Sequence, residues 1–291
     1  MLAVIVNPSA GGGRAGRVLE EIQPALSARG LEYHVERTQS LEHGRELARL
    51  AGAAGETAVA LGGDGLVGAV ADALKHSDAV VGVLPGGRGN DFARALGIPR
   101  DVQGACDVLA TGVVRELDLG QVGTATFIGI ASCGFDSDAN RVANETRLVR
   151  GNLVYAYGAL RTLATWRPAR FEVRIDGGEV RQMRGYTVAA ANSKAYGGGM
   201  FMAPAASLED GMLDVVLVAD VPKLRFLALL PTVFKGLHVR QPNVEVLRTS
   251  EVQIRADRPF VLYADGDPIA ELPVTVRCLP KAVRVIVPRD G

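Results

Sequence analysis

Residues 57–65 read TAVALGGDG, an apolar run of strand length followed at once by a glycine-rich turn. Two other glycine-rich turns also follow apolar runs. NPSAGGG at residues 7–13 comes after Leu2–Val6, and PGGRGND at residues 85–91 comes after residues 79–84. Such runs are typical of buried parallel strands. Segments with helical spacing follow each turn, so the first third of the chain predicts an α/β domain with a doubly wound parallel sheet.

The pattern changes after about residue 118. Strand-like segments now dominate, interrupted by helical segments at about residues 138–166 and 223–236. We predict a first domain at residues 1–118 and a β-rich domain at 119–280, and a final strand within 281–291 could return to the first domain. The predicted strands of the second domain lie at residues 126–132, 171–176, 186–192, 213–218, 244–255, 260–263 and 274–279.

Composition excludes several classes of protein. The 32 basic and 32 acidic residues cancel, whereas nucleic-acid binders usually show a basic excess, so we expect no nucleic-acid partner. The 3 cysteines are far apart and form no CxxC pair, which argues against a disulfide framework or a zinc site. The longest apolar stretch, residues 226–234, is shorter than the ~20 residues of a membrane span. We therefore expect a cytoplasmic protein.

The three glycine turns should meet, because the carboxyl ends of parallel strands share one edge of a sheet and ligands bind there. Glycines let backbone N–H groups approach an anion, and a following helix adds its positive N-terminus. A carboxylate such as Asp64 or Asp91 would repel phosphate unless a cation lies between them, which suggests Mg²⁺ with a nucleotide. Arg88 adds a donor fork suited to phosphate.

The first turn also fits a different chemistry. Gly11, Gly13 and Gly16 form a GxGxxG pattern, and Glu36 follows 20 residues later, where a ribose-binding acid lies in dinucleotide folds. An NAD(P)-dependent oxidoreductase is therefore an alternative. Two observations weaken this alternative: four residues separate the strand from the first glycine, and a dehydrogenase does not need three ligand-facing turns.

Together these motifs resemble the diacylglycerol kinase catalytic domain family, which includes bacterial lipid kinases and sphingosine kinases. NPSAGGG, GGDG and PGGRGNDFAR occur in that family's order and spacing. Three later segments are similar to further motifs of the family: LDLG at residues 117–120, SLEDGMLD at 207–214 and DGD at 265–267.

The resemblance implies an ATP-dependent lipid kinase that transfers the γ-phosphate to a lipid hydroxyl, such as that of diacylglycerol or a sphingoid base. It implies a nucleotide-binding α/β domain followed by a β-sandwich-like domain, with the nucleotide in the cleft. Nucleotide contacts would come from Asn7, Pro8, Ser9, Ala10, Gly11, Thr38, Gly62, Gly63, Asp64, Gly65, Leu66, Val67, Gly68, Arg88, Gly89, Asn90 and Asp91.

The resemblance also implies the remaining site residues. Asp64, which we also count as catalytic, Asp91 and Asp118 would organise Mg²⁺. A separate structural metal would be held by the carbonyls of Ser207 and Met212 and by the Asp210 carboxylate. The general base would be Asp265 or Asp267, across the cleft from the glycine turns.

Several positions depart from the family pattern. Leu66, Gly68 and Ala69 replace a threonine, an asparagine and a glutamate that many members carry after GGDG, and Asp267 replaces a glutamate. A kinase-like protein that has lost catalysis and only binds nucleotide or lipid is therefore a second alternative.

A lipid substrate implies transient contact with a membrane surface. Residues 221–240 carry apolar residues at roughly helical spacing together with Lys223, Arg225, Lys235 and Arg240. Such a helix could lie on an anionic bilayer, or it could pack its apolar side on the β-rich domain, as most amphipathic helices do. A homodimer is compatible with the sequence.

Overall fold

The computed structural model describes residues 1–145 and 153–289. Its first part alternates strands and helices as expected. The elements are β1 (Leu2–Val6), α1 (Ala10–Ala28), β2 (Tyr33–Arg37), α2 (Leu41–Ala53), β3 (Thr57–Gly62), α3 (Asp64–Leu74), β4 (Val80–Pro85), α4 (Asp91–Ala95) and α5 (Val102–Thr111). The strands are parallel and ordered β2-β1-β3-β4, so the predicted α/β class is confirmed.

The second part is built mainly from antiparallel strands. Its elements are β5 (Val113–Val122), β6 (Ala125–Phe127), β7 (Ile130–Gly134), α6 (Phe135–Glu145), α7 (Leu153–Thr165), β8 (Ala169–Ile175), β9 (Val180–Ala191), β10 (Leu213–Ala219), α8 (Lys223–Val233), a short 3₁₀ turn (His238–Arg240), β11 (Val244–Thr249), β12 (Glu251–Ala256), β13 (Val261–Ala264), β14 (Asp267–Glu271) and β15 (Val274–Val287). The strand order is β14-β13-β7-β9-β8-β12-β15, with β10 and β11 branching from β9.

Strand β15 joins the two parts. Its first residues, 274–277, pair with β12, and residues 276–287 pair with β5 across an irregularity between Leu279 and Val283. Near its end, Arg284 and Val285 lie beside β4 in parallel. The predicted domain limit at residue 118 falls inside β5, so hydrogen bonding continues from one sheet into the other there.

Two segments predicted as single strands are interrupted. The segment at 126–132 divides into β6 and β7, because the N–H groups of Ile128 and Gly129 donate to the Asp265 carboxylate. The segment at 244–255 divides at Ser250, where the chain changes neighbours: β11 pairs with β10, but β12 pairs with β8 and β15. The helical segment predicted at 138–166 contains α6 and α7, and residues 146–152 lie outside the described residues.

Each part has its own apolar core. One core surrounds β1, β3 and β4, and the other lies among the antiparallel strands and the helices that cover them. An aromatic cluster fixes α8 onto the second core: the Tyr186 and Phe226 rings stack with centroids 3.9 Å apart. The Tyr186 hydroxyl donates to the Val221 carbonyl at 2.9 Å. Among the described residues, no helix is both long and apolar enough to cross a bilayer.

Candidate active site

The three glycine turns pack against one another at the carboxyl edge of the parallel sheet. The Gly86 N–H donates to the Gly62 carbonyl at 2.8 Å. A Cβ on Gly87 would lie 2.4 Å from the Cα of Gly63, and a Cβ on Gly11 would lie 2.8 Å from the Gly86 oxygen. Any larger residue at these two positions would separate the turns, so glycine is needed here for close backbone approach.

Asn90 closes the third turn. Its side chain accepts from the Gly87 N–H at 2.8 Å and donates to the Gly87 carbonyl at 3.0 Å. The residue is 3% exposed and has a φ of 51°, in the left-handed region that asparagine tolerates better than most side chains. The Asn90 amide group therefore stabilises the conformation of the loop.

Two carboxylates converge on Gly89. Asp64 begins α3, and its Oδ1 accepts from the Phe92 N–H at 3.0 Å, which ties the second turn to the third. A Cβ built on Gly89 would lie 3.2 Å from Asp64 Oδ2 and 3.1 Å from Asp91 Oδ2. The structure therefore brings together two of the predicted metal-binding acids, beside a residue that has no side chain.

Asp91 is held by partners from both parts of the protein. Its Oδ2 accepts from the Gly198 N–H at 2.7 Å, and its Oδ1 pairs with Arg94 one turn later on α4. Burial raises the pKa of Asp91 above its usual value, and the nearby Asp64 charge adds to this, while the Gly198 bond and Arg94 oppose it.

Asp265 lies close enough to Asp64 for that charge to affect its pKa, although about 200 residues separate them in sequence. It occupies the two-residue turn between β13 and β14, with its carboxyl group turned inward. That group accepts from the N–H groups of Ile128 at 2.9 Å, Gly129 at 2.9 Å and Ile130 at 3.2 Å. Burial raises the pKa of Asp265 to about 7; the backbone donors oppose this shift and the Asp64 charge adds to it.

Asp267 lies in a different environment. It is exposed at the start of β14 and pairs with Ala264 in the strand ladder. Sequence reasoning left Asp265 and Asp267 as equal candidates for the base. In the structure the two differ: the Asp265 carboxyl group accepts from three backbone N–H groups, whereas the Asp267 side chain is exposed.

The other predicted nucleotide residues divide into two groups. In the first turn, the Asn7 side chain accepts from the N–H and hydroxyl of Ser9, and Thr38 follows β2 at the same edge. Arg88 is exposed on the third turn. Leu66 and Val67, by contrast, are 2% and 3% exposed and pack in the first core, so their side chains are not part of the cleft surface.

Asp118 belongs to a second acidic group. Its side chain is fully buried and accepts from the N–H groups of Gly211 and Lys281, both at 2.7 Å. Burial raises its pKa, and the charges of Asp210 and Glu209 raise it further. The contacts of Asp118 thus lie with the segment predicted to hold a structural metal, rather than with Asp64 and Asp91.

That segment is already held by ion pairs and hydrogen bonds. Asp210 accepts from the Met212 N–H at 3.0 Å and pairs with Arg248, and the Ser207 hydroxyl accepts from the Glu209 N–H at 3.2 Å. Within residues 1–145 and 153–289, no set of three or more His, Cys, Asp or Glu side chains is arranged to hold a metal ion.

Sequence reasoning missed two features of this site. The first is the run of three glycines at 197–199, which supplies the N–H that binds Asp91; its composition was a visible signal. The second is Asn192, which is 0% exposed and donates to the carbonyls of Asp118 at 2.9 Å and Ile128 at 3.1 Å. A single asparagine at the end of an apolar strand gives no comparable signal.

Comparison with known proteins decides the family. Residues 1–122 match the diacylglycerol kinase catalytic domain, and residues 129–287 match the YegS C-terminal NAD kinase beta sandwich-like domain. The chain belongs to the diacylglycerol kinase family of lipid kinases. The resemblance inferred from the motifs and the β-sandwich-like second domain are therefore both confirmed, and a kinase is favoured over an oxidoreductase.

Individual relatives cover nearly the whole chain. A diacylglycerol kinase of Mycobacterium tuberculosis is 34% identical over 299 residues, covering 100% of this chain and 96% of that protein. A diacylglycerol kinase of Bacillus subtilis is 31% identical over 240 residues, covering 80% and 78%.

Solved structures share the fold at lower identity. A diacylglycerol kinase from Bacillus anthracis superposes with a TM-score of 0.77 at 20% identity, covering 98% of this chain and 96% of that one. An NAD kinase from Archaeoglobus fulgidus in complex with ATP gives a TM-score of 0.53 at 16% identity, covering 98% and 93%.

Proposed function

We propose that this protein transfers the γ-phosphate of ATP to the hydroxyl of a membrane lipid, with diacylglycerol as the first substrate to test. One observation carries the proposal: the Asp265 carboxyl group is held by three backbone N–H groups, and burial, with a further contribution from the Asp64 charge, raises its pKa to about 7, while Asp64 itself ties the second glycine turn to the third. Phosphoryl transfer depends on positioning and on neutralising charge more than on covalent chemistry, and this site offers groups for both.

Asp265 suits the role of general base. A base works best when its pKa lies near the operating pH, and burial gives this aspartate such a value. The three backbone donors hold the carboxyl group in place without supplying a full positive charge. In this proposal Asp265 takes the proton of the lipid hydroxyl as the lipid oxygen attacks the γ-phosphorus. The bond between the γ-phosphorus and the β–γ bridging oxygen breaks, and ADP leaves with that pair of electrons.

The residues present fit a magnesium ion held mainly by its substrate. Asp64 Oδ1 is used by Phe92, but the described residues provide no hydrogen-bond partner for Oδ2, which faces Gly89. Mg²⁺ commonly takes one or two carboxylates and completes its shell with water and phosphate oxygens. A magnesium ion at Asp64 would offset the phosphate charge, and Asp91 is close enough to share it.

Labelled ATP and a lipid panel test the proposal directly. We expect phosphate transfer to diacylglycerol, a sphingoid base or a polyprenol by the wild type, and at least a hundredfold less by Asp64→Asn with the fold retained. Normal turnover by that variant would refute the assignment of Asp64.

Thermal shift separates the alternatives. A ligand that binds only the folded state raises Tm by mass action, so magnesium-ATP should raise Tm whereas NADH should not. A shift with magnesium-ATP but no transfer to any lipid would instead support the inactive homologue.

A further inference from the structure

Helix α8 is apolar on two opposite faces and buries only one of them. Phe226 and Val233 are buried against the second core, where the Phe226 ring also meets Phe135 with centroids 4.8 Å apart. Leu224, Ala228 and Pro231 are spaced by four and three positions, which places them on the opposite side of the helix. All three are exposed, and Leu224 is 84% exposed.

The exposed apolar area continues beyond the helix. Phe234 and Leu237, just after α8, are 54% and 38% exposed. On the neighbouring helix α7, Leu160 is 54% exposed and lies one turn before Ala164, whose carbonyl accepts from Lys223 Nζ at 2.9 Å. We call Leu160, Leu224, Phe234 and Leu237, with the cationic side chains around them, the basic apolar surface.

The charged residues within the two segments that carry this surface are all basic. Residues 221–244 contain no aspartate or glutamate, but they contain Lys223, Arg225, Lys235 and Arg240. On the α7 side, Arg161 and Arg167 are also exposed. The acid just before α8, Asp220, lies 3.4 Å from Arg184 on β9, so a cation offsets its charge.

We propose that the basic apolar surface docks on anionic phospholipid bilayers. Exposed leucine and phenylalanine side chains can enter the interface while flanking lysines and arginines attract anionic headgroups. A second copy of this chain is a poorer occupant, because a symmetric dimer through this face would bring like charges together. The inference rests on the proposed function only in that a lipid substrate lies in a bilayer.

The surface is connected to the candidate active site through one strand. Phe135, which contacts Phe226 of α8, directly follows β7, and Ile130 at the other end of β7 donates to Asp265. Five residues of extended chain span about 16 Å. A bilayer docked at α8 would therefore lie toward the opposite end of β7 from Asp265.

Vesicle co-sedimentation without ATP tests this surface. We compare vesicles of phosphatidylcholine with vesicles that also contain phosphatidylglycerol, using wild type and Arg225→Glu/Lys235→Glu. The matched control is Arg174→Glu/Arg255→Glu, which changes net charge equally but alters the outer face of β8 and β12, where both residues are exposed. A third variant, Leu224→Ser/Phe234→Ser, removes apolar contact without changing charge.

We expect wild type and the control to bind phosphatidylglycerol vesicles, and the two surface variants to bind at least tenfold less with unchanged Tm. Equal binding by all four proteins, or no binding by the wild type, would overturn the proposal, as would a change from dimer to monomer in Leu224→Ser/Phe234→Ser. Phosphorylation of diacylglycerol in detergent micelles should be the same in all four. If the wild type does not phosphorylate diacylglycerol or any other lipid, the proposed function is refuted, but the vesicle experiment still tests the docking surface.

Discussion

The backbone N–H of Gly198 donates to Oδ2 of Asp91 at 2.7 Å, across 107 positions of sequence. Gly197, Gly198 and Gly199 have φ angles of 61°, 82° and 114°, a run of left-handed backbone that other residues rarely adopt. The adjacent Gly199 approaches Arg94, the other partner of Asp91. This loop therefore sets the position of Asp91 from the opposite part of the protein.

Gly198→Ala should weaken nucleotide binding. Space is open around this glycine, so the cost is the φ of +82°, about 1–2 kcal/mol of folding free energy. As the loop relaxes, the hydrogen bond to Asp91 should lose about 1 kcal/mol, which corresponds to about a fivefold higher KM for magnesium-ATP. Steady-state kinetics and urea unfolding measure the two effects.

Gly177→Ala is the matched control. Gly177 has a φ of 71° and open space around it, but it lies beyond β8, away from Asp91. It should lose similar stability and keep the wild-type KM. Equal KM values in both variants would show that the Gly198 contact does not serve the nucleotide.

Asp265→Asn should separate the two candidate bases. Asparagine tolerates the φ of 51° at this position and can still accept a hydrogen bond through one oxygen, so the fold should persist. Turnover should fall by about 10²–10⁴, the usual contribution of a general base. Asp267→Asn should retain most activity because that side chain is exposed. The opposite ranking in a lipid phosphorylation assay would transfer the role to Asp267.

The pH profile should follow Asp265. Because its pKa is raised to about 7, the base becomes active as pH rises through 7, and kcat/KM should increase over that range. Stability should change in the opposite direction. Between about pH 4 and 7 the folded state holds a proton that the unfolded state has released, so this group's contribution to the unfolding free energy falls as pH rises. Unfolding curves of wild type and Asp265→Asn at several pH values measure the difference, which should shrink to nothing if Asp265 titrates normally.

Asp64→Asn should lower the pKa of Asp265. The Asp64 charge adds to the effect of burial, and a neutral amide removes that repulsion. The shift should be downward but incomplete, since burial is the larger cause. Carboxyl ¹³C NMR titration of the two proteins follows Asp265 without needing activity, and an unchanged pKa would mean that the two carboxylates do not interact.

Local patterns in the amino-acid sequence were enough to predict the elements of the first domain. Short continuous apolar runs such as Leu2–Val6, each followed by a glycine-rich turn, favour buried strands, and the parallel arrangement then places all three turns at one edge. The same reasoning made Asp64 and Asp91 candidate site residues, because a carboxylate within a glycine-rich turn is an uncommon combination that the sequence alone reveals.

Tertiary structure decided what depends on contacts between distant residues. Asp265 and Asp267 differ because the turn between β13 and β14 directs the Asp265 carboxyl group toward three backbone N–H groups, a difference that the alternating pattern of the hairpin does not predict. Asp118 lies near Asp210 and Glu209, because the N–H groups of Gly211 and Lys281 donate to its carboxylate. The contact between Gly198 and Asp91 exists only in the folded protein. Likewise, which face of α8 is exposed follows from the burial of Phe226 on the other face. A pKa, an ion pair or an exposed face depends on which groups folding brings within a few ångströms, and spacing along the chain does not contain that information.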